Sequence, residues 1–174
     1  VDFYKRPQHL GGSEIHSDSV VYDFIDKFTE ADIVVWVNPI APLQTGELIK
    51  SVVSYFISNK LDSLITTEEK FVHSVYNNTP VNYDLNEVFA KTQDLKAVEI
   101  FTYTVMAWRS KKFLQSYNEK GFGFFSGKFR TYHVDNLSAL IVKTANDLNL
   151  IEHIMNAGSD DKRAVQYDHI LNID

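Results

Sequence analysis

The chain has 174 residues, 44% of them hydrophobic and 13% aromatic, enough for one domain with a sizeable core. A formal net charge of -6 without a basic stripe argues against nucleic acid as a partner, while leaving room for a local cationic pocket for a nucleotide. The absence of cysteine excludes disulfides, thiolate metal sites and a cysteine nucleophile, and no apolar run approaches the roughly 20 residues that span a bilayer.

No signal-peptide pattern opens the chain, so a cytoplasmic protein with no membrane association is expected. The opening "VDFYKRP", with Val1 in place of an initiator methionine, reads as an internal start. "HLGGSEIHSDS" reads as a loop, with Ser17 or Asp18 placed to cap the helix that Val20, Val21, Phe24, Ile25 and Phe28 announce at helical spacing, to about Glu30. The unbroken apolar run Ile33–Val37 suits a strand covered on both faces, as in a parallel sheet. "VNPIAPLQT" then stops it: Pro39 donates no backbone hydrogen bond and holds Asn38 extended. A stiff shelf at the carboxyl end of a strand is a candidate pocket wall in an α/β sheet.

Thr45 is placed to cap a second helix whose buried stripe is Leu48, Ile49, Val52, Val53 and Phe56, and "LDSLITTEE" follows as a strand. This succession is the rhythm of an α/β fold. Residues 70–108 alternate instead, with a polar turn at Asn77-Asn78, and are expected to project from the sheet as a β-rich excursion that forms a homodimer. A helix over Ser110–Lys120 should end at Gly121, followed by strands over 129–134 and 140–142 and a last helix over 144–156 closed by Gly158. Residues 1–157 then form one α/β domain and 158–174 a tail of weak periodicity. Trp36 and Trp108 read as core. The six histidines show no metal-ligand spacing, and Ser13, His16 and Asp18 are too weak a set for a hydrolase.

Several stretches form an ordered series: Arg6-Pro7, "NPIAPLQTGELI" (38–49), "DSLIT" (62–66), "TQDL" (92–95), "GFFSGKFRTY" (123–132) and "KTANDLNLIEHI" (143–154). Together they resemble the cytidylyltransferase family that makes CMP-sialic acid and related CMP-nonulosonates, over about residues 1–156. The resemblance implies a Rossmann-like nucleotidyltransferase sheet in three αβα layers, a homodimer, CTP and an acidic sugar as ligands, and transfer of CMP with magnesium and release of pyrophosphate.

Carried over by residue, the resemblance makes Asn38 the polar residue before the proline that helps to hold the acidic sugar; satisfying the loop backbone is its other reading. Gln93 and Asp94 match a segment near the sugar site, where the family's arginine falls on Thr92 and Lys91 would supply a cation one residue earlier. Phe124 and Phe125 match a paired aromatic of the sugar's acyl pocket, or are ordinary core aromatics. Arg6 heads the series and joins the substrate-binding set.

Two departures stand out. The family's glycine-rich phosphate loop has no counterpart, since Gly11-Gly12-Ser13 follows no expected strand. The family's two metal aspartates fall on Ile141 and Lys143, neither of which ligates magnesium, so the magnesium implied by the resemblance is in doubt. Lys143 would then be a catalytic cation placed where the metal neutralises phosphate, or a solvated lysine at a strand end. The expected function is that of a nucleotidyltransferase-like protein; the alternative is a non-catalytic relative acting as a sugar-binding or interaction module. A glycosyltransferase would need an aspartate pair, which only Asp160-Asp161 approaches.

Overall fold

Periodicity becomes packing first in α1 (Ser17–Lys27), which buries Val21 and Ile25, four residues apart on one face. The computed structural model describes residues 3–158; the expected tail beyond Gly158, with Asp160-Asp161 and His169, lies outside the described residues. The helix stops short of Glu30 because Phe28 leaves helical geometry at φ -111° and ψ 61°. Neither Ser17 nor Asp18 is the N-cap. That position is His16, without a side-chain cap, and the Asp18 carboxylate turns instead to the backbone of Gly123 and Phe124.

The main sheet holds β1 (Ile33–Val37), β2 (Ser63–Lys70), β5 (Val98–Arg109) and β6 (Phe129–His133) in the order β1-β5-β2-β6. β5 is antiparallel to both of its neighbours and β2 is parallel to β6, so β1, β2 and β6 run one way and β5 the other. The expected parallel setting of Ile33–Val37 is therefore corrected: its partner among the described residues is antiparallel β5. An apolar run records that both faces are covered, and that holds equally for either direction.

Alternation along β5 divides the core. Met106 and Trp108 pack with Val21, Ile25 and Phe113 under α1 and α3 (Ser110–Lys120), while Val105 and Ala107 pack with Val52 and Phe56 under α2 (Gly46–Ser58). The result is three layers, helices on both faces of a mixed sheet. Thr45 caps α2 by accepting from the Leu48 N–H at 3.1 Å, and Gly121 closes α3 at φ 82°. Among the described residues no helix is long and apolar enough to cross a membrane.

The excursion is narrower than 70–108. Its hairpin, β3 (Val75–Tyr76) and β4 (Thr79–Pro80), turns on Asn77 and Asn78, both at positive φ (47° and 62°), as a two-residue turn of this hand requires. Val98–Arg109, by contrast, is a strand between β1 and β2, because its apolar end is covered on both faces. No strand forms over 140–142; one backbone hydrogen bond, Val142 N–H to the Ile40 oxygen at 2.8 Å, ties that segment to the shelf after β1. α4 (Ala145–Gly158) follows.

Candidate functional site

At the carboxyl end of β1 the chain leaves the sheet through Asn38, whose N–H donates to the Thr104 carbonyl at 2.9 Å before Pro39 ends the pairing. The Asn38 side-chain oxygen accepts from the Ile40 N–H at 3.3 Å, and its backbone oxygen accepts from Gln44 Nε2 at 2.8 Å. The amide NH2 group has no partner among the described residues. Asn38 thus serves its own loop with one end of the amide and keeps the donor end.

Opposite the shelf, β5 departs from regular pairing. Ile65 faces Met106, so an unbroken antiparallel register would set Thr67 opposite Thr104; it pairs instead with Phe101, and three residues (104 minus 101) are looped out. The middle one, Tyr103, has φ 56°, a left-handed conformation that costs a bulky residue on the order of 1–3 kcal/mol. Buried hydroxyls pin its neighbours. Thr102 Oγ1 donates to the Thr66 carbonyl at 3.2 Å, Thr66 Oγ1 accepts from the Val105 N–H at 3.1 Å, and Thr104 Oγ1 donates to the Ser138 carbonyl at 2.8 Å.

The third wall is the loop after α3. Asp18 Oδ1 accepts from the N–H groups of Gly123 (2.6 Å) and Phe124 (3.0 Å), and the Phe124 carbonyl accepts from Trp108 Nε1 at 3.0 Å. Gly123 has to be glycine, since a Cβ there would lie 2.8 Å from the Phe113 ring. Held at both ends, Phe124 packs on Trp108 (ring centroids 4.8 Å apart) and still reaches the surface of the site.

Between these walls lies a cavity of about 340 Å³ lined by Ser17, Trp36, Asn38, Tyr103, Met106 and Phe124. Trp36, half-buried, packs against the core cluster of Met106 and Trp108, as expected, and also lines the cavity; Trp108 is buried completely. A strap over 135–147 passes beside the shelf. Asp147 Oδ2 accepts from the Lys143 N–H (3.0 Å), the Thr144 N–H (2.8 Å) and the Thr144 hydroxyl (2.9 Å). These bonds, the Lys143 N–H foremost, hold the Asp147 carboxyl below the usual carboxylate range. The Ser138 hydroxyl and N–H do the same for Asp135.

Asn38 and Phe124 therefore line one cavity, and the Val142–Ile40 bond brings the segment holding exposed Lys143 against the same shelf. Other residues of the expected set lie elsewhere. Phe125 is exposed beside Phe129 and Phe101 and does not line the cavity. Arg6 lines a neighbouring groove of about 290 Å³ along β1, with Tyr4, Phe24 and Val35 among its walls and Trp36 shared with the cavity. Lys91, Gln93 and Asp94 are exposed around a short 3-10 turn, Thr92–Asp94, and none of them lines the cavity.

Tyr103, Met106 and Asp18 were not legible as site residues: "FTYTVMAW" reads as plain strand, and Asp18 as a cap. The positions of the two family aspartates hold half-buried Ile141 and exposed Lys143. No group of three or more His, Cys, Asp or Glu able to hold a metal occurs among the described residues. This donor set does not fit magnesium, which requires oxygen ligands in a nearly octahedral shell.

No family model matches the chain, and no curated protein matches it in sequence. In structure it is similar to 4-diphosphocytidyl-2C-methyl-D-erythritol synthase from Anaerococcus prevotii, with a TM-score of 0.58 over 82% of this chain at 13% identity. The chain spans 65% of the length of that structure. The likeness shows the fold alone, an α/β sheet with helices on both faces.

Proposed function

We propose that the chain forms the acceptor-binding part of a nucleotidyltransferase that passes a cytidylyl group from CTP to an acidic sugar of nonulosonate type. In that reaction a sugar hydroxyl oxygen bonds to the α-phosphorus of CTP, the bond between the α- and β-phosphates breaks, pyrophosphate leaves and the hydroxyl proton passes to solvent. The motif series and the nucleotidyltransferase fold support this reading, and one observation carries it: Asn38 and Phe124, far apart in sequence, line one cavity at the carboxyl end of β1.

Asn38 would read sugar hydroxyls through its unused NH2 group. Lys143, the residue after the one that ties the strap to Ile40, would supply positive charge to the phosphates. Arg6, Lys91, Gln93 and Asp94 keep their substrate-binding roles only as part of this proposal, and no step is routed through a metal. A homodimer through the excursion belongs to the same reading, because Phe71, Val75, Tyr76, Leu85, Val88 and Phe89 are all exposed on it.

Isothermal titration of the chain with N-acetylneuraminate tests the proposal. Saturable binding is expected, weakened roughly three- to tenfold in Asn38→Ala, as loss of one hydrogen bond implies. Absence of binding overturns the acceptor reading. A second reading, a sugar-binding module without turnover, is favoured by Ile141 and Lys143 at the metal positions and by Gly11-Gly12, which sits at the end of a 3-10 turn rather than after a strand. Both readings predict no CTP-dependent pyrophosphate release from these 174 residues, because the described residues hold no phosphate loop to orient the triphosphate. Release in a coupled pyrophosphate assay would contradict both.

A further inference from the structure

Tyr103 holds a backbone conformation that glycine would adopt without strain, in the middle of a looped-out segment whose other two residues are buried threonines. The hydroxyl bonds of Thr102, Thr104 and Thr66, with the Asn38 N–H on the Thr104 carbonyl, fix the chain on both sides of it. A strained residue persists where its surroundings over-determine it, and such residues cluster at ligand-binding sites. Packing accounts for only part of the side chain: its ring lies against Phe101 (centroids 5.9 Å apart), but it is 40% exposed and its hydroxyl has no partner among the described residues.

The chemistry of the cavity is uniform. Trp36, Met106 and Phe124 are apolar surfaces, and Ser17, Asn38 and Tyr103 contribute neutral hydrogen-bonding groups; none of the six lining side chains is charged. A carboxylate desolvated there would meet no cation, which is costly. A ring with hydroxyls on its edge and C–H faces toward the aromatics meets a partner for each part.

We propose that Tyr103 is the specificity-determining wall of this cavity, and that the cavity takes the uncharged, hydroxyl-bearing ring of the acceptor with its carboxylate left outside. The proposal rests on the acceptor reading above and adds to it which part of the sugar enters and which residue selects it.

The test is calorimetric titration of the unaltered chain, Tyr103→Gly and Tyr103→Phe with N-acetylneuraminate, with N-acetylmannosamine as an uncharged probe, and with cytidine, alongside thermal melting of each. The two sugars should bind the unaltered chain within roughly threefold of one another, since the charge stays outside. Tyr103→Gly should weaken both by roughly tenfold or more while its Tm holds or rises, and Tyr103→Phe, which keeps the ring and loses one hydrogen bond, should weaken both by roughly three- to tenfold. The proposal is overturned if Tyr103→Gly binds both sugars as the unaltered chain does, if its Tm falls, or if only the acidic sugar binds. It is also overturned if cytidine rather than the sugars depends on Tyr103. Failure of the acceptor reading itself is a separate result, in which neither sugar binds the unaltered chain.

Discussion

Gly127 shows how closely single residues are determined near the sheet. Its φ is 61°, and a Cβ added there would lie 2.3 Å from Asp62 Oδ2, the atom that accepts the Lys128 N–H at 2.8 Å. Gly127→Ala is therefore strained twice, and a loss of about 1–3 kcal/mol is expected in urea denaturation. Part of this scale was legible beforehand: Thr45, Gly121 and Asn77-Asn78 each carry a local signal, and each sits where that signal placed it. Asp18 did not. Its sequence neighbourhood signals a cap, and only the fold brings Gly123 and Phe124, more than a hundred residues away, to its carboxylate.

At the scale of elements, α4 depends on a reciprocal cap. Thr144 Oγ1 accepts from the Asp147 N–H at 3.3 Å while Asp147 Oδ2 accepts from the Thr144 N–H at 2.8 Å. Thr144→Ala should cost about 0.5–2 kcal/mol, measured by chemical denaturation. The depressed pKa values of Asp147, in this cap, and of Asp135, in the turn it forms with Leu137 and Ser138, give the strap a pH dependence of definite sign. A carboxyl whose folded pKa lies below its unfolded one stabilises the fold above the unfolded value, near 4, and that contribution is lost as pH falls through the folded value. Thermal melts should therefore show Tm falling on acidification below about pH 4, with a smaller fall in Asp147→Asn. The strand β5 shows what sequence patterns leave out. "FTYTVMAW" has a single β character, and nothing local marks the three residues that Thr66 and Ser138 draw out of register.

For the whole molecule, the alternation of helices and strands was enough to give an α/β fold, and the alternation over 70–108 suits the antiparallel run of β5; neither gives its place between β1 and β2, which depends on what lies beside it rather than on its own residues. The excursion over 71–97 carries much of the exposed apolar surface. Val88 is 92% exposed and Phe89 76%, values that suit an interface better than a free surface. Light scattering should give a dimer, and Val88→Asp with Phe89→Asp should shift it to monomer without unfolding; a strict monomer at high concentration contradicts this. The central claim is that the cavity between Asn38, Tyr103 and Phe124 receives the sugar. The most direct measurement is a two-dimensional amide spectrum of the labelled chain titrated with N-acetylneuraminate: the account predicts that the signals of Asn38, Tyr103, Phe124 and Val142 move together and saturate. Movement confined to the groove of Tyr4 and Arg6 or to the excursion, or no movement at all, would contradict it.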